Sequence, residues 1–132
     1  MPGYVEHQAE GLAILLWACE PGAPHRLATP FFHAAAAAAM DLPVEIYFTA
    51  ASVQLLVPGI AGTLRASPYH DKTVLDAMRE AVSHGAVLLA CTDALHAQGV
   101  DPSNLIPECT GRGGAVQFIA RAADLRWRTL VF

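Results

Sequence analysis

Apolar residues along the chain fall into short unbroken runs, and these runs alternate with segments of helical period. Residues 11–18 (GLAILLWA) form the first run. Its length suits a strand buried on both faces. Cys19 closes it, and the prolines and glycine of residues 20–26 (EPGAPHR) forbid regular structure beyond it. Thr29-Pro30 then predicts a helix over 31–40, with Thr29 as N-cap and Pro30 at the first helical position. The alanines at 34–39 let that helix lie close to a sheet or a partner helix. Residues 43–49 (PVEIYFT) mix β-branched and aromatic side chains and predict a second strand. A short helix capped by Ser52 is expected over 52–57. Residues 58–70 carry two prolines and two glycines and read as a long loop.

The strongest helical signal follows. Val74, Ala77, Met78, Ala81 and Val82 share one face, with Asp71 as the expected cap and Gly85 as a left-handed stop. Residues 86–90 (AVLLA) predict a third strand that runs directly into Cys91. A short helix is expected over 92–98, closed by Gly99. Leu105-Ile106 reads as a small strand inside an irregular stretch that leads to Glu108 and Cys109. Gly113-Gly114 opens a last helix over 115–123, with Val116, Ile119, Ala120 and Ala123 on one face, and residues 128–132 (RTLVF) form a final strand. Strands alternating with helices imply βαβ units: a single α/β domain over 1–132, with a mainly parallel sheet covered by helices on both faces.

Composition sharpens this picture. The chain has 132 residues, 54% hydrophobic and only 15% charged. That is enough for a full core and leaves apolar surface for self-association. With a net charge of -4 and scattered cations, nothing resembles a nucleic-acid footprint. No apolar stretch approaches the roughly 18 residues needed to span a bilayer. The opening Met1-Pro2-Gly3-Tyr4 lacks the basic-then-apolar order of a signal peptide. Three cysteines without zinc-knuckle spacing fit a cytoplasmic protein with reduced thiols.

Cys91 is the leading candidate for chemistry. The last residue of a parallel strand stands at the carboxyl edge of the sheet, where open α/β folds hold their ligands. The next helix begins there, with Thr92 in its first turn, and its amides favour an anion. A thiol so placed is expected to ionise below its free value of about 8.5 and to gain nucleophilicity. Asp93, in the same turn, opposes that. The plain alternative is a small packed residue. Cys19 ends a strand at the same edge and is a candidate resolving thiol. Cys109, beside Glu108, is a candidate second carrier. Gly113 and Gly114, with Arg112 before them, offer amides and a cation to an anion, without the Lys-Ser/Thr of a nucleotide-binding loop. His25 is a polar group near the edge that holds Cys19. The six histidines include no HxxxH or HExxH pair, so neither a metal nor a cofactor is expected. Trp17 reads as core, and Arg121, Arg126 and Arg128 as a solvated or inter-subunit face.

Three phrases carry a resemblance: VEIYFTAASVQLL (44–56), LLACTDALHAQGV (88–100) and the tail GAVQFIARAADLRWRTLVF. Together they resemble the DsrE/DsrF-like family of small sulfur-relay proteins, which includes the TusD type. The resemblance implies a three-layer α/β/α fold with four to five strands and assembly into trimers or hexamers. It also implies transfer of sulfane sulfur through a persulfide on Cys91, the position that matches the family's cysteine. The partners implied are sulfur donor and acceptor proteins or small thiols. Cys19, the 20–26 loop and the stretch 109–114 fall outside the family pattern. A sulfurtransferase-like carrier therefore stands against a non-catalytic, oligomeric ligand-binding module in which Cys91 is structural.

Overall fold

The computed structural model describes residues 9–132; the opening Met1 to Tyr4 lies outside them. Five strands, β1 (Gly11–Leu16), β2 (Val44–Phe48), β3 (Val87–Ala90), β4 (Cys109–Arg112) and β5 (Trp127–Val131), form one sheet in the order β4-β3-β2-β1-β5. Every neighbouring pair is parallel. The helices are α1 (Thr29–Ala39), α2 (Val74–Ser83), α3 (Thr92–Ala97) and α4 (Ala115–Ala122), with short 3-10 turns between them. The fold is the expected single α/β unit.

The strand order dictates how the layers fill. From β1 to β4 the chain steps three times in one direction. Right-handed crossovers then put every intervening helix on the same face. Only the return from β4 to β5 runs the other way, and it delivers α4 to the opposite face. The cores bear this out. Leu12, Ile14, Leu16, Val44, Ile46, Phe48, Leu88 and Ala90 point to one side, where they form one buried cluster with residues of α1, α2 and α3. Ala13, Tyr47 and Leu89 point to the other side and meet Phe118 of α4, with Leu15 and Trp127 at the margin.

The alanine run does what its small volume allows. Ala34, Ala35 and Ala38 are buried, and α1 packs against both α2 and the sheet. Helix α2 is amphipathic, with Val74, Ala77, Met78 and Ala81 buried. Its cap is Thr73, not Asp71. The Thr73 hydroxyl accepts from the Asp76 amide at 3.1 Å and the Asp76 carboxylate accepts from the Thr73 amide at 2.9 Å. That reciprocal pair needs the two side chains three residues apart, a spacing Asp71 does not have with any first-turn acid. Gly85 stops the helix with φ +113°, as expected.

Other details depart from the sequence reading. Thr29 lies inside α1, and Ala28 flanks it with no side-chain cap. The segment expected as a helix from 52 is a 3-10 turn, Ala50–Leu56, in which Ser52 is buried and its hydroxyl donates to the Leu16 and Thr49 carbonyls at 2.7 and 2.6 Å. No strand forms at Leu105-Ile106. The edge strand is instead β4, in the stretch read as irregular, paired to β3 across a register shift between Leu88 and Leu89. β1 ends at Leu16, one residue before Trp17, which is 62% exposed rather than core. The apolar stripe of α4 also turns outward: Val116 and Ile119 are exposed, and Phe118 is the helix's buried residue.

Candidate functional site at the carboxyl edge of β3

Cys91 follows β3 and occupies the N-cap position of α3. Its backbone is fully engaged. The amide donates to Phe48 O at 2.9 Å and the carbonyl accepts from Leu95 N at 3.0 Å. Its side chain makes no capping bond, and the half-buried thiol is free. The backbone is therefore fixed while Sγ is left available.

The turn from β4 to α4 comes close to this sulfur. Gly113 N donates to Ala90 O at 3.1 Å, which ties the turn to the residue before Cys91. A Cβ at Gly113 would stand 2.8 Å from a ring carbon of Tyr47 and 3.2 Å from Leu89, so only glycine lets the turn lie this near the sheet. A Cβ at Gly114 would stand 3.8 Å from Cys91 Sγ, an ordinary contact distance.

Two spaces meet at the thiol. One is a cavity of about 260 Å³ between the sheet and α4. Leu15, Tyr47 and Thr49 form its floor, Phe118 and Ile119 its helix wall. The other is an open cleft of about 580 Å³ on the outer side, bordered by Thr92, Asp93, Arg112 and Gln117. Cys91, Gly113, Gly114 and Ala115 border both.

Behind the cavity a polar cluster holds α4 to the sheet. Arg121 donates to both carboxylate oxygens of Glu45, at 2.8 and 3.0 Å, and its guanidinium lies 4.0 Å from the centre of the Trp127 ring. The Tyr47 hydroxyl donates to Glu45 at 2.8 Å. Burial alone would raise the Glu45 carboxyl, but its bonds to Arg121 and Tyr47 and the Arg121 charge outweigh that and hold it below its ordinary value. Burial, followed by the bond to the Glu45 anion, pushes the Tyr47 phenol up to about 12.

Of the residues singled out from sequence, Cys91, Thr92, Arg112, Gly113 and Gly114 come together here. Cys19 and His25 do not join them. They border a separate cavity of about 340 Å³ with Arg26 and Phe132, and burial pushes the Cys19 thiol up despite Arg26. Cys109 lies in β4, where burial also raises its thiol and Sγ donates to Gly111 O at 3.6 Å. Among the described residues, no group of three or more His, Cys, Asp or Glu is placed to hold a metal ion, and no helix is long and apolar enough to cross a membrane.

Leu15, Tyr47, Thr49, Phe118 and Ile119 were not foreseen as site residues. A partial signal existed. Leu15, Tyr47 and Leu89 sit opposite one another in register, a row that period-2 alternation assigns to one face once the pairing is known.

Comparison with known proteins agrees with this architecture. The model of the DsrE/DsrF-like family matches residues 14–132. The crystal structure of the ychN protein from E. coli superposes with a TM-score of 0.71 at 13% identity, covering 92% of this chain and 99% of that one. MTH1491 from Methanobacterium thermoautotrophicum, a protein described as of unknown function, gives a TM-score of 0.61 at 18% identity, covering 91% and 96%. At these identities the likeness is one of fold. A search of curated protein sequences finds no match.

Proposed function

The chain belongs to the DsrE/DsrF-like family, whose members are generally tied to sulfur relay, and on that premise we propose that it carries sulfane sulfur as a persulfide on Cys91. One observation supports this above the rest: the Cys91 thiol is free and half-buried where an apolar cavity meets an open cleft that carries Asp93 and Arg112 on its border. A thiolate there attacks the outer sulfur of a donor persulfide. A new S–S bond forms at Sγ, the donor's S–S bond breaks, and the electron pair leaves on the donor thiolate. The reverse step hands the sulfur to an acceptor thiol. Such exchange needs a reachable sulfur and shelter from water, and little acid-base machinery.

The carrier works as a homo-oligomer in a reducing, cytoplasmic setting. Support for assembly comes from α4, which presents Val116 at 88% and Ile119 at 61% exposure on the thinly covered side of the sheet. Light scattering of the purified chain should give a trimer or hexamer, and a monomer would remove this part of the reading.

The central test is mass spectrometry of reduced protein incubated with inorganic polysulfide. The expected result is a gain of about 32 Da, one sulfur, that is lost in Cys91→Ala. No gain, or a gain that persists in the variant, rejects the carrier and favours a ligand-binding module with a structural Cys91.

A further inference from the structure

The space beside Cys91 is larger than a carried sulfur atom requires. A persulfide adds one atom, whereas an apolar cavity of about 150 Å³ already accommodates benzene. The cavity here is about 260 Å³. Its lining is almost entirely hydrocarbon. Leu15, Phe118 and Ile119 present aliphatic and aromatic carbon, and the turn presents backbone and the Ala115 methyl. Tyr47 contributes its ring, because its hydroxyl is committed to Glu45. Thr49 and Cys91 supply the polar side-chain atoms that remain. The nearest ion pair, Glu45 with Arg121, is closed on itself through two hydrogen bonds and borders neither space. A charged group that entered would lose its hydration and find no counter-charge.

We infer that the small-molecule partner of Cys91 is an apolar organic thiol and its persulfide, with the carbon body in the cavity and the sulfur at Sγ. This rests on the carrier reading and names its substrate class. The exchange is R–S–SH + Cys91–S⁻ → R–S⁻ + Cys91–S–SH. The bond to the outer sulfur moves from the donor to Sγ, and the electron pair departs on R–S⁻, with no net oxidation. Ionic thiols are handled poorly: the cavity rejects their charge, and in the adjoining cleft Arg112 is engaged with the Gly111 and Pro102 carbonyls and shares the border with the opposite charge of Asp93.

The experiment has three arms on the full chain. In the first, inorganic polysulfide loads Cys91, read by intact mass. In the second, loaded protein is offered 2-phenylethanethiol or 2-mercaptoethanesulfonate at equal thiolate concentration, and loss of the extra sulfur is timed. In the third, ethylbenzene, which has no thiol, is titrated against alkylation of Cys91 by iodoacetamide. The expected results are transfer at least about tenfold faster to the phenylethyl thiol and saturable protection by ethylbenzene. Loading by polysulfide with equal transfer rates and no protection overturns the apolar-thiol assignment while the carrier stands. No loading by polysulfide overturns the carrier and this inference with it.

Discussion

The two faces of the sheet are built to different standards. One is sealed by α1, α2, α3 and the 3-10 turns, and Ile14, Leu16, Ile46, Phe48 and Leu88 on it have no exposure at all. The other is covered by the eight residues of α4, with Phe118 as its one fully inserted side chain, a cavity beside it, and an ion pair where the first face has hydrocarbon. The cause is topological, since three crossovers fell on one side and one on the other. A dense face can hold a fold together while tolerating nothing new. A sparse face contributes less stability and leaves room for chemistry. Cys91 stands at the strand end where the sparse face opens.

The sharpest way to break this contrast is to remove one aromatic ring from each side. Phe48→Ala, in the sealed layer and stacked against Phe31, should cost about 3–5 kcal/mol. Phe118→Ala, already next to empty space, should cost about 2 kcal/mol. Urea denaturation measures both, and equal losses would mean that the faces are equally packed.

A smaller effect is expected at the turn that lets α4 approach. Gly113→Ala forces its methyl against Tyr47 and Leu89. The strain should cost about 1–3 kcal/mol, and slower alkylation of Cys91 should accompany it as the turn shifts over the sulfur. Unchanged stability would show that the turn has slack.

The smallest concerns the polar anchor. Glu45→Gln should lose about 1 kcal/mol at neutral pH, as expected for a partly exposed ion pair with good geometry. The pH dependence has a sign on each side. Glu45 has a lowered carboxyl value, so its contribution is present above the ordinary 4.5 and is lost as pH falls through the folded value. Tyr47 has a raised value, so its contribution is intact below the ordinary 10 and is lost as pH rises through about 12. Thermal melts of Glu45→Gln should lie below wild type at neutral pH and converge with it in acid, while Tyr47→Phe should soften the alkaline decline. A Glu45→Gln melt that matches wild type at neutral pH, with a Tyr47→Phe alkaline decline as steep as wild type, would leave α4 held by packing alone.

The dense face was legible in the sequence because its signals are local. The runs at 11–16 and 87–90 are unbroken hydrocarbon, the run at 44–48 mixes β-branched and aromatic side chains around Glu45, and α2 repeats its apolar positions at helical spacing. Cys91 was legible for the same reason, as the residue where such a run stops. The sparse face was not. β4 contains two polar residues and a glycine in four positions, with no alternation to announce it, and it exists because β3 offers an edge and Gly111 clears the Leu89 side chain. For α4, periodicity grouped Val116, Ile119 and Ala120 correctly but could not say which way the group turns when a helix meets a half-covered sheet. The cavity draws residues from β1, β2 and α4, and no local pattern links Leu15 to Phe118.

The pairing of β1 with β5 joins Gly11 to Trp127, the longest separation in the sheet. During synthesis, α1, α2, α3 and the four strands they serve all leave the ribosome before α4 and β5 do. The sealed layer can therefore set first. On the nascent chain the sulfur of Cys91 waits on a bare sheet, and its shelter is made only after the four strands beside it.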